Sequence, residues 1–521
     1  MSDAPVTVEM PLLPDGYRAA GLLLHLTSLP SPFGIGDLGP AAFTWVDRLR
    51  NAGQSWWQAL PLGPTGYGNS PYQCLSSFVG NGLLISPEFL AEDGLLKKAD
   101  CAGAFPSNSV SYDTVIPFKH RLLDIAWTNF RAGVRKDLVA SYEQFCDSRA
   151  SWLEEYALFR ALKGRYSTGS YLELPSELLH RVPSALAQAR RELSNELDKV
   201  RLAQFLLFRQ ATRLREYARS HGVRLIGDLP FFVSPDSSDV WAHPELFLLD
   251  KQNRPTFVAG VPPDYFSARG QLWGNPVYNW EGHEATGYAW CIDRIRALLM
   301  HVDVIRLDHF RAFAAAWHVP HGAPSAESGE WVPGPGAKFF IAIQKALGKL
   351  PFIAEDLGLL TPDVLALRDE FRIPGTKVLQ FAFDGKPDNV HLPGNYTPNN
   401  VVYTGTHDNA TSREWFENLT DREQRGFWAH TGRPEGEIRD AAPELISLAW
   451  SSRAALAIAP LQDVLNLGRE GRMNVPGEPE GNWRWRAMPH MLAPRTFESL
   501  EKLTRSSGRL QSVQSQRREA S

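Results

Sequence analysis

The chain has 521 residues, 43% of them hydrophobic and 21% charged, with a formal net charge of −4. That is ordinary globular composition. It contains no basic block of the kind nucleic acid requires and no apolar run that approaches a membrane span. None of its four cysteines, Cys74, Cys101, Cys146 and Cys291, forms a metal-spaced pair. The first ten residues lack a basic start and an apolar segment, which argues against a secretory signal. Thiols so far apart in sequence are expected to stay reduced, as in a cytoplasmic protein.

Eight short apolar runs follow one another along the chain. They are Gly21–His25, Trp56–Pro61, Val223–Asp228, Val302–Asp308, Pro351–Glu355, Lys377–Phe381, Val401–Gly405 and Leu456–Leu461. Their lengths, and the helical stretches between them, suit buried parallel strands. Eight such units predict an α/β fold, a (β/α)8 barrel forming one catalytic domain over 1–521. Two gaps are far too long for a single connecting helix. Residues 85–215 read as a mainly helical insertion between strands two and three. The Pro- and Gly-free run Ser184–His221 carries Leu202, Phe205, Leu206, Arg209 and Leu214 at helical spacing. Residues 230–300, rich in Pro, Gly and aromatics, read as an irregular insertion between strands three and four that carries an active-site loop. Too few residues follow the eighth strand for a C-terminal β-sandwich. The polar stretch 506–521 reads as a disordered tail.

Three of the runs end in acids: Arg306-Leu-Asp308-His309-Phe310, Ala354-Glu355-Asp356 and Thr406-His407-Asp408-Asn409. Acids at the C-terminal ends of successive barrel strands are placed for catalysis. Two carboxylates facing across a pocket can cleave a glycosidic bond, and a third can hold the sugar ring. Arg306 and Asp308 are two apart on a strand and share a side. A guanidinium there favours the ionised carboxylate that a nucleophile needs, although a structural ion pair would look the same. Glu355 follows the apolar Pro-Phe-Ile-Ala, and burial of that kind suits a general acid, although Asp356 beside it could simply cap a helix. His407 and Asp408 could bond sugar hydroxyls, or cap the helix that follows. Metal ligation by His25, His309, His407 and nearby acids is a further alternative, but the first strand reads His25-Leu26-Thr27 where metal-dependent hydrolase barrels carry His-x-His.

The stretch Val261–Pro276 contains Asp264, Tyr265, Phe266, Gln271 and Trp273 among prolines and glycines. It reads as a loop folded over the site, stacking on sugar and excluding water. The alternative is an aromatic-stapled surface loop. Sixteen tryptophans fit core filling first, and flat indoles also suit sugar faces.

Ten stretches then resemble the amylomaltase (4-α-glucanotransferase, disproportionating enzyme) family, in the family's order. They are Leu26-Thr-Ser-Leu-Pro30 with Gly34-Ile-Gly-Asp-Leu-Gly39, Leu60-Pro-Leu-Gly-Pro-Thr-Gly-Tyr-Gly68 with Ser70-Pro-Tyr-Gln73, Gly270-Gln-Leu-Trp-Gly-Asn-Pro276, Arg306-Leu-Asp-His-Phe310, Ala354-Glu-Asp-Leu-Gly358, Gly405-Thr-His-Asp-Asn409, and Arg472-Met-Asn-Val-Pro-Gly477 with Gly481-Asn-Trp-Arg-Trp-Arg486. The resemblance implies a retaining transferase that moves α-1,4-glucan segments to the 4-hydroxyl of another glucan or of glucose. It implies Asp308 as nucleophile, Glu355 as acid/base and Asp408 as the residue that binds and distorts the ring. It further implies sugar contacts from Arg306, His309, His407, Tyr72, Ser70, Asp264, Gln271, Trp273 and Asn474. No cofactor, metal, nucleic acid or membrane partner is expected, and no oligomeric state follows. An α-1,4-glucan hydrolase is the alternative. The chain departs from the family's usual pattern at Asn69, Ala312 and Ala410, away from the three acids.

Overall fold

A computed structural model describes residues 13–14, 16–263, 267–433, 436–478 and 480–511. Its strands, in chain order, are β1 (Ala19–Leu23), β2 (Trp56–Gln58), β3 (Arg224–Leu229), β4 (Phe257–Val261), β5 (Gln271–Pro276), β6 (Val304–Leu307), β7 (Ala315–Pro320), β8 (Glu330–Pro333), β9 (Phe352–Ala354), β10 (Gly375–Val378), β11 (Asn400–Tyr403) and β12 (Leu456–Pro460). Eight of them close a barrel in the order β1-β12-β11-β10-β9-β6-β3-β2. Every pairing in it is parallel. The strands are buried almost throughout, which is why the sequence shows unbroken apolar runs rather than alternation. Each of the eight expected runs overlaps one barrel strand. The sixth is displaced: β10 ends at Val378, and Leu379–Phe381 continues as a 3-10 turn. Leu379 and Gln380 stay buried in that turn, so the apolar signal outlasts the strand.

Between β2 and β3 the chain leaves the barrel through several helices, among them Tyr112–Arg131, Ala150–Tyr166 and Ser194–Ser220. The last has 27 residues. It buries Leu202, Phe205, Leu206 and Leu214 as their spacing predicts. Aromatic rings stitch the insertion together, with Trp152 stacked on Phe208 at 5.7 Å. The helix stops at His221, and Gly222 follows with φ 73°. That left-handed residue turns the chain directly into β3.

The stretch 230–300 is more regular than expected. β4 and β5 pair antiparallel, and β4 also pairs with β7, which in turn pairs with β8. The four-stranded sheet, in the order β5-β4-β7-β8, joins segments that leave the barrel after β3 and after β6. Strands as short as β4 become stable only with such a partner, and β7 is far away in sequence.

After β12 the described residues form helices and loops but no strand. The helix Glu498–Ser506 closes on the barrel floor. Arg509, fully buried, donates to the carbonyls of Trp450, Ala19, Ser452 and Ala454. The packed chain therefore continues to Gln511, inside the stretch expected to be a tail; residues 512–521 lie outside the described residues. The reason is specific: the carbonyls at the end of the helix Ala441–Ser451, before β12 and at the start of β1 need donors, and a guanidinium carries five. No described helix is long and apolar enough to cross a membrane.

Candidate active site

The barrel register assembles the site. β3 and β6 pair Asp228 with Arg306, and β6 and β9 pair Leu307 with Ala354. The next residues, Asp308 and Glu355, therefore emerge together at the C-terminal rim. Arg306 Nη1 donates to both oxygens of Asp228 at 2.8 Å and to Asp308 Oδ1 at 3.0 Å. The side-chain exposures are 6% for Arg306, 0% for Asp228 and 27% for Asp308. Asp228 is thus a buried counter-charge, and Asp308 is the carboxylate a ligand can reach. Tyr72 adds a hydrogen bond to Asp228 at 2.8 Å.

His309 has φ 51°. A non-glycine residue in the left-handed region costs about 1–3 kcal/mol and persists where surrounding structure demands it. Here the turn aims the His309 N–H at Glu355 Oε2, 2.7 Å away. Phe310 N–H meets the Glu355 carbonyl and Glu355 N–H meets the Leu307 carbonyl, both at 3.0 Å. The Glu355 carboxyl is half-buried. Burial pushes its pKa up to about 8, and Asp308 adds to the rise, against the opposing pull of Arg306 and the His309 N–H. Burial, helped by Arg311 and opposed by Asp308, lowers the His309 ring pKa to about 4.

The segment after β11 carries the third acid. Asp408 Oδ2 lies 3.2 Å from His407 Nε2, and Asn474 donates to Asp408 Oδ1 at 2.6 Å. Burial works to raise the Asp408 pKa, but His407, Asn474 and Arg306 outweigh it and hold it at about 2. Tyr72 stacks on His407 at 5.1 Å, with Trp483 tilted against both rings. On the insertion, Trp273 sits on β5 with its ring 4.8 Å from His309, edge to face, and its Nε1 donates to Gln271 Oε1 at 3.2 Å. Ser70 Oγ accepts from Tyr72 N–H at 3.2 Å and so shapes the turn that presents the tyrosine.

The structure thus gathers Tyr72, Arg306, Asp308, His309, Glu355, His407, Asp408, Asn474 and Trp273 at the barrel rim. Gln271 and Ser70 stand behind Trp273 and Tyr72, and Asp264 lies outside the described residues. Among the described residues no three His, Cys, Asp or Glu side chains converge as metal ligands would. His25, at the end of β1, is buried, and burial with His407 nearby lowers its pKa to about 3. The tryptophans divide: Trp45, Trp56, Trp57, Trp241 and Trp450 fill the core, while Trp273 and Trp483 face the site.

Sequence reading missed three carboxylates. Asp228 carries the same signal as the others, an acid ending an apolar run. Asp356 does not cap a helix but pairs with Arg368 and accepts from Thr376 N–H at 2.6 Å. Asp463 accepts from Thr404 Oγ1 at 2.5 Å, Ser412 N–H at 2.7 Å and Ser412 Oγ at 2.6 Å. It pins both ends of the segment that holds His407 and Asp408, and nothing local in the sequence marks it. The helix-capping alternative at that segment fails too: Thr411, not Asp408, caps the helix Ser412–Glu417.

A closed parallel barrel with three carboxylates and a guanidinium at the C-terminal ends of its strands has the form of an enzyme that cleaves or transfers glycosidic bonds. A sequence model of the 4-alpha-glucanotransferase family matches residues 24–491. The 4-alpha-glucanotransferase of Synechocystis is 48% identical over 480 residues, 91% of this chain and 95% of its own length. That of Thermus thermophilus is 45% identical over 95% of this chain and 99% of its own. Among solved structures, an amylomaltase from Streptococcus agalactiae in complex with acarbose superposes with a TM-score of 0.90, at 35% identity, over 94% of this chain and 99% of that one. The chain belongs to the 4-alpha-glucanotransferase family.

Proposed function

We propose that the chain transfers α-1,4-glucan segments by a retaining, two-step displacement, with Asp308 as nucleophile and Glu355 as acid and base. The Asp308 carboxylate attacks the anomeric carbon of the donor glucan. The bond to the leaving 4-oxygen breaks as Glu355 gives that oxygen its proton, which leaves a glucosyl ester on Asp308. The 4-hydroxyl of an acceptor glucan, or of glucose, then passes its proton to Glu355 and attacks the same carbon. This frees Asp308 and forms one bond for the one broken.

The observation that carries the reading is the placement of Asp308 and Glu355 at the ends of paired strands, one bonded to a guanidinium and the other with its pKa raised by burial. Neighbouring strands lie about 4.8 Å apart. Carboxyls emerging from them suit the roughly 5–5.5 Å separation of retaining enzymes better than the roughly 6.5–9.5 Å of inverting ones. Asp408, ionised and braced by His407 and Asn474, is set to bind hydroxyls of the ring at the cleavage point. Arg306, His309, His407 and Tyr72 surround the same space. Trp273 against His309, with Asp264 and Gln271 on the same insertion and Ser70 behind Tyr72, would shape the neighbouring glucan positions. A cytoplasmic setting belongs to this reading, and the four free thiols agree with it.

Incubation with maltotriose alone tests the proposal. Transfer yields glucose and a ladder of longer maltooligosaccharides while total reducing ends stay nearly constant. A steady rise in reducing ends without longer products identifies a hydrolase and overturns it.

A further inference from the structure

Asp356 follows Glu355 directly, so the two side chains leave the end of β9 on opposite faces. Glu355 enters the barrel mouth. Asp356 points outward, between β10 and the helix Pro362–Glu370, and its side chain is fully buried. Two partners hold it. Arg368, on that helix, pairs with Oδ2. Thr376 N–H, on β10, donates to Oδ1 at 2.6 Å, and Thr376 Oγ1 returns to the Ala354 carbonyl at 2.8 Å. Gly375 leaves room for the carboxylate, since a Cβ there would stand 2.6 Å from Asp356 Oδ2. β9 and β10 share a single paired position, Gly375 with Ala354. At the point where Glu355 emerges, this carboxylate therefore supplies much of the attachment that the short ladder does not.

We propose that Asp356 is a positioning residue that fixes the place and the proton affinity of the Glu355 carboxyl through its pairing with Arg368 and Thr376. The proposal rests on the reading of Glu355 as acid and base. Charged and titratable groups reach Glu355 from three strands. Arg306 and Asp308 act from β6, Tyr403 from β11, and Asp356 from its own segment. Asp356 in turn faces Arg368 and the buried Lys377 of β10, with Asp369 beyond them. The negative charge of Asp356 discourages ionisation of its neighbour, as does burial, and Arg368 limits that effect.

The test is the alkaline limb of the kcat/KM profile, measured with a maltooligosaccharide donor for three variants. Asp356→Asn removes the negative charge and leaves Arg368 and Lys377 balanced only by Asp369, so the limb moves to lower pH by about one unit. Arg368→Gln removes one of the two cations that face Asp356 and leaves Lys377, so the negative charge of Asp356 is less balanced and the limb moves to higher pH. A purely structural role lowers kcat or thermal stability in both variants and leaves the limb in place. An unmoved limb, or movement in the same direction in both, overturns the proposal. Glu355→Gln separates the two readings: if its residual activity keeps the wild-type limb, Glu355 is not the acid, and the underlying reading fails before this one is reached. Should Asp356→Asn not fold, the upward movement in Arg368→Gln remains decisive.

Discussion

Replacing Glu355 by Gln should make the folded chain more stable, by an amount that grows with pH. The Glu355 carboxyl has its pKa raised from 4.5 to about 8. A raised carboxyl pKa means that the native state binds more protons than the unfolded chain. Stability is then fully present below 4.5 and is lost as pH rises from 4.5 to 8. At one pKa unit per 1.36 kcal/mol, the wild type carries a cost of about 1 kcal/mol at pH 5 and about 4–5 kcal/mol at pH 8.5. Partial exposure of the carboxyl reduces the difference to about 2–4 kcal/mol. Gln has no proton to lose, and its oxygen can still accept from the His309 N–H. For a chain of this length each kcal/mol moves the melting temperature by about 1 °C. Thermal unfolding of both proteins at matched scan rate should therefore show Glu355→Gln ahead by about 2–4 °C more at pH 8.5 than at pH 5. The same variant should be severely impaired in transfer. A stability gap that is constant with pH, or that narrows as pH rises, would refute a proton held on Glu355 at neutral pH.

Asp308→Ala should reduce turnover by several orders of magnitude while keeping the fold. With Glu355→Gln and a glucosyl fluoride donor, which needs no protonation to leave, mass spectrometry should find the adduct on Asp308; an adduct elsewhere contradicts the assignment. Trp273→Ala should lower transfer relative to hydrolysis by about tenfold or less, since one stacking contact is worth on the order of 1 kcal/mol. An unchanged ratio of glucose to elongated products would make Trp273 a staple for His309 only. Asp463→Asn should lower kcat by about 10–100-fold with a smaller change in KM, because it loosens the segment that holds Asp408 at a cost of about 1–3 kcal/mol. A kcat within twofold of wild type would show that this segment does not depend on Asp463.

The sequence by itself determined the barrel and the three acids. Strands buried on both faces must be continuous apolar runs, and a run such as Val304–Leu307 must end in polar residues where it meets solvent. The alternation along a strand was enough to place Arg306 and Asp308 on one side, and the 3.0 Å bond between them follows from it. The long helix Ser194–Ser220 was legible for a similar reason: its apolar stripe is a local periodicity. Tertiary structure decided the rest, because it depends on partners far apart in the chain. Asp228 becomes a counter-charge only when β3 lies beside β6. β4 becomes a strand only when β7 reaches it. Arg509, in a stretch that reads as a tail, is buried because the barrel floor offers it a ring of carbonyls. Tyr72, His407 and Trp483 form one aromatic cluster from three separate segments. The proton on Glu355 has the same origin: burial and the nearness of Asp308 raise its affinity, and neither exists until the barrel closes.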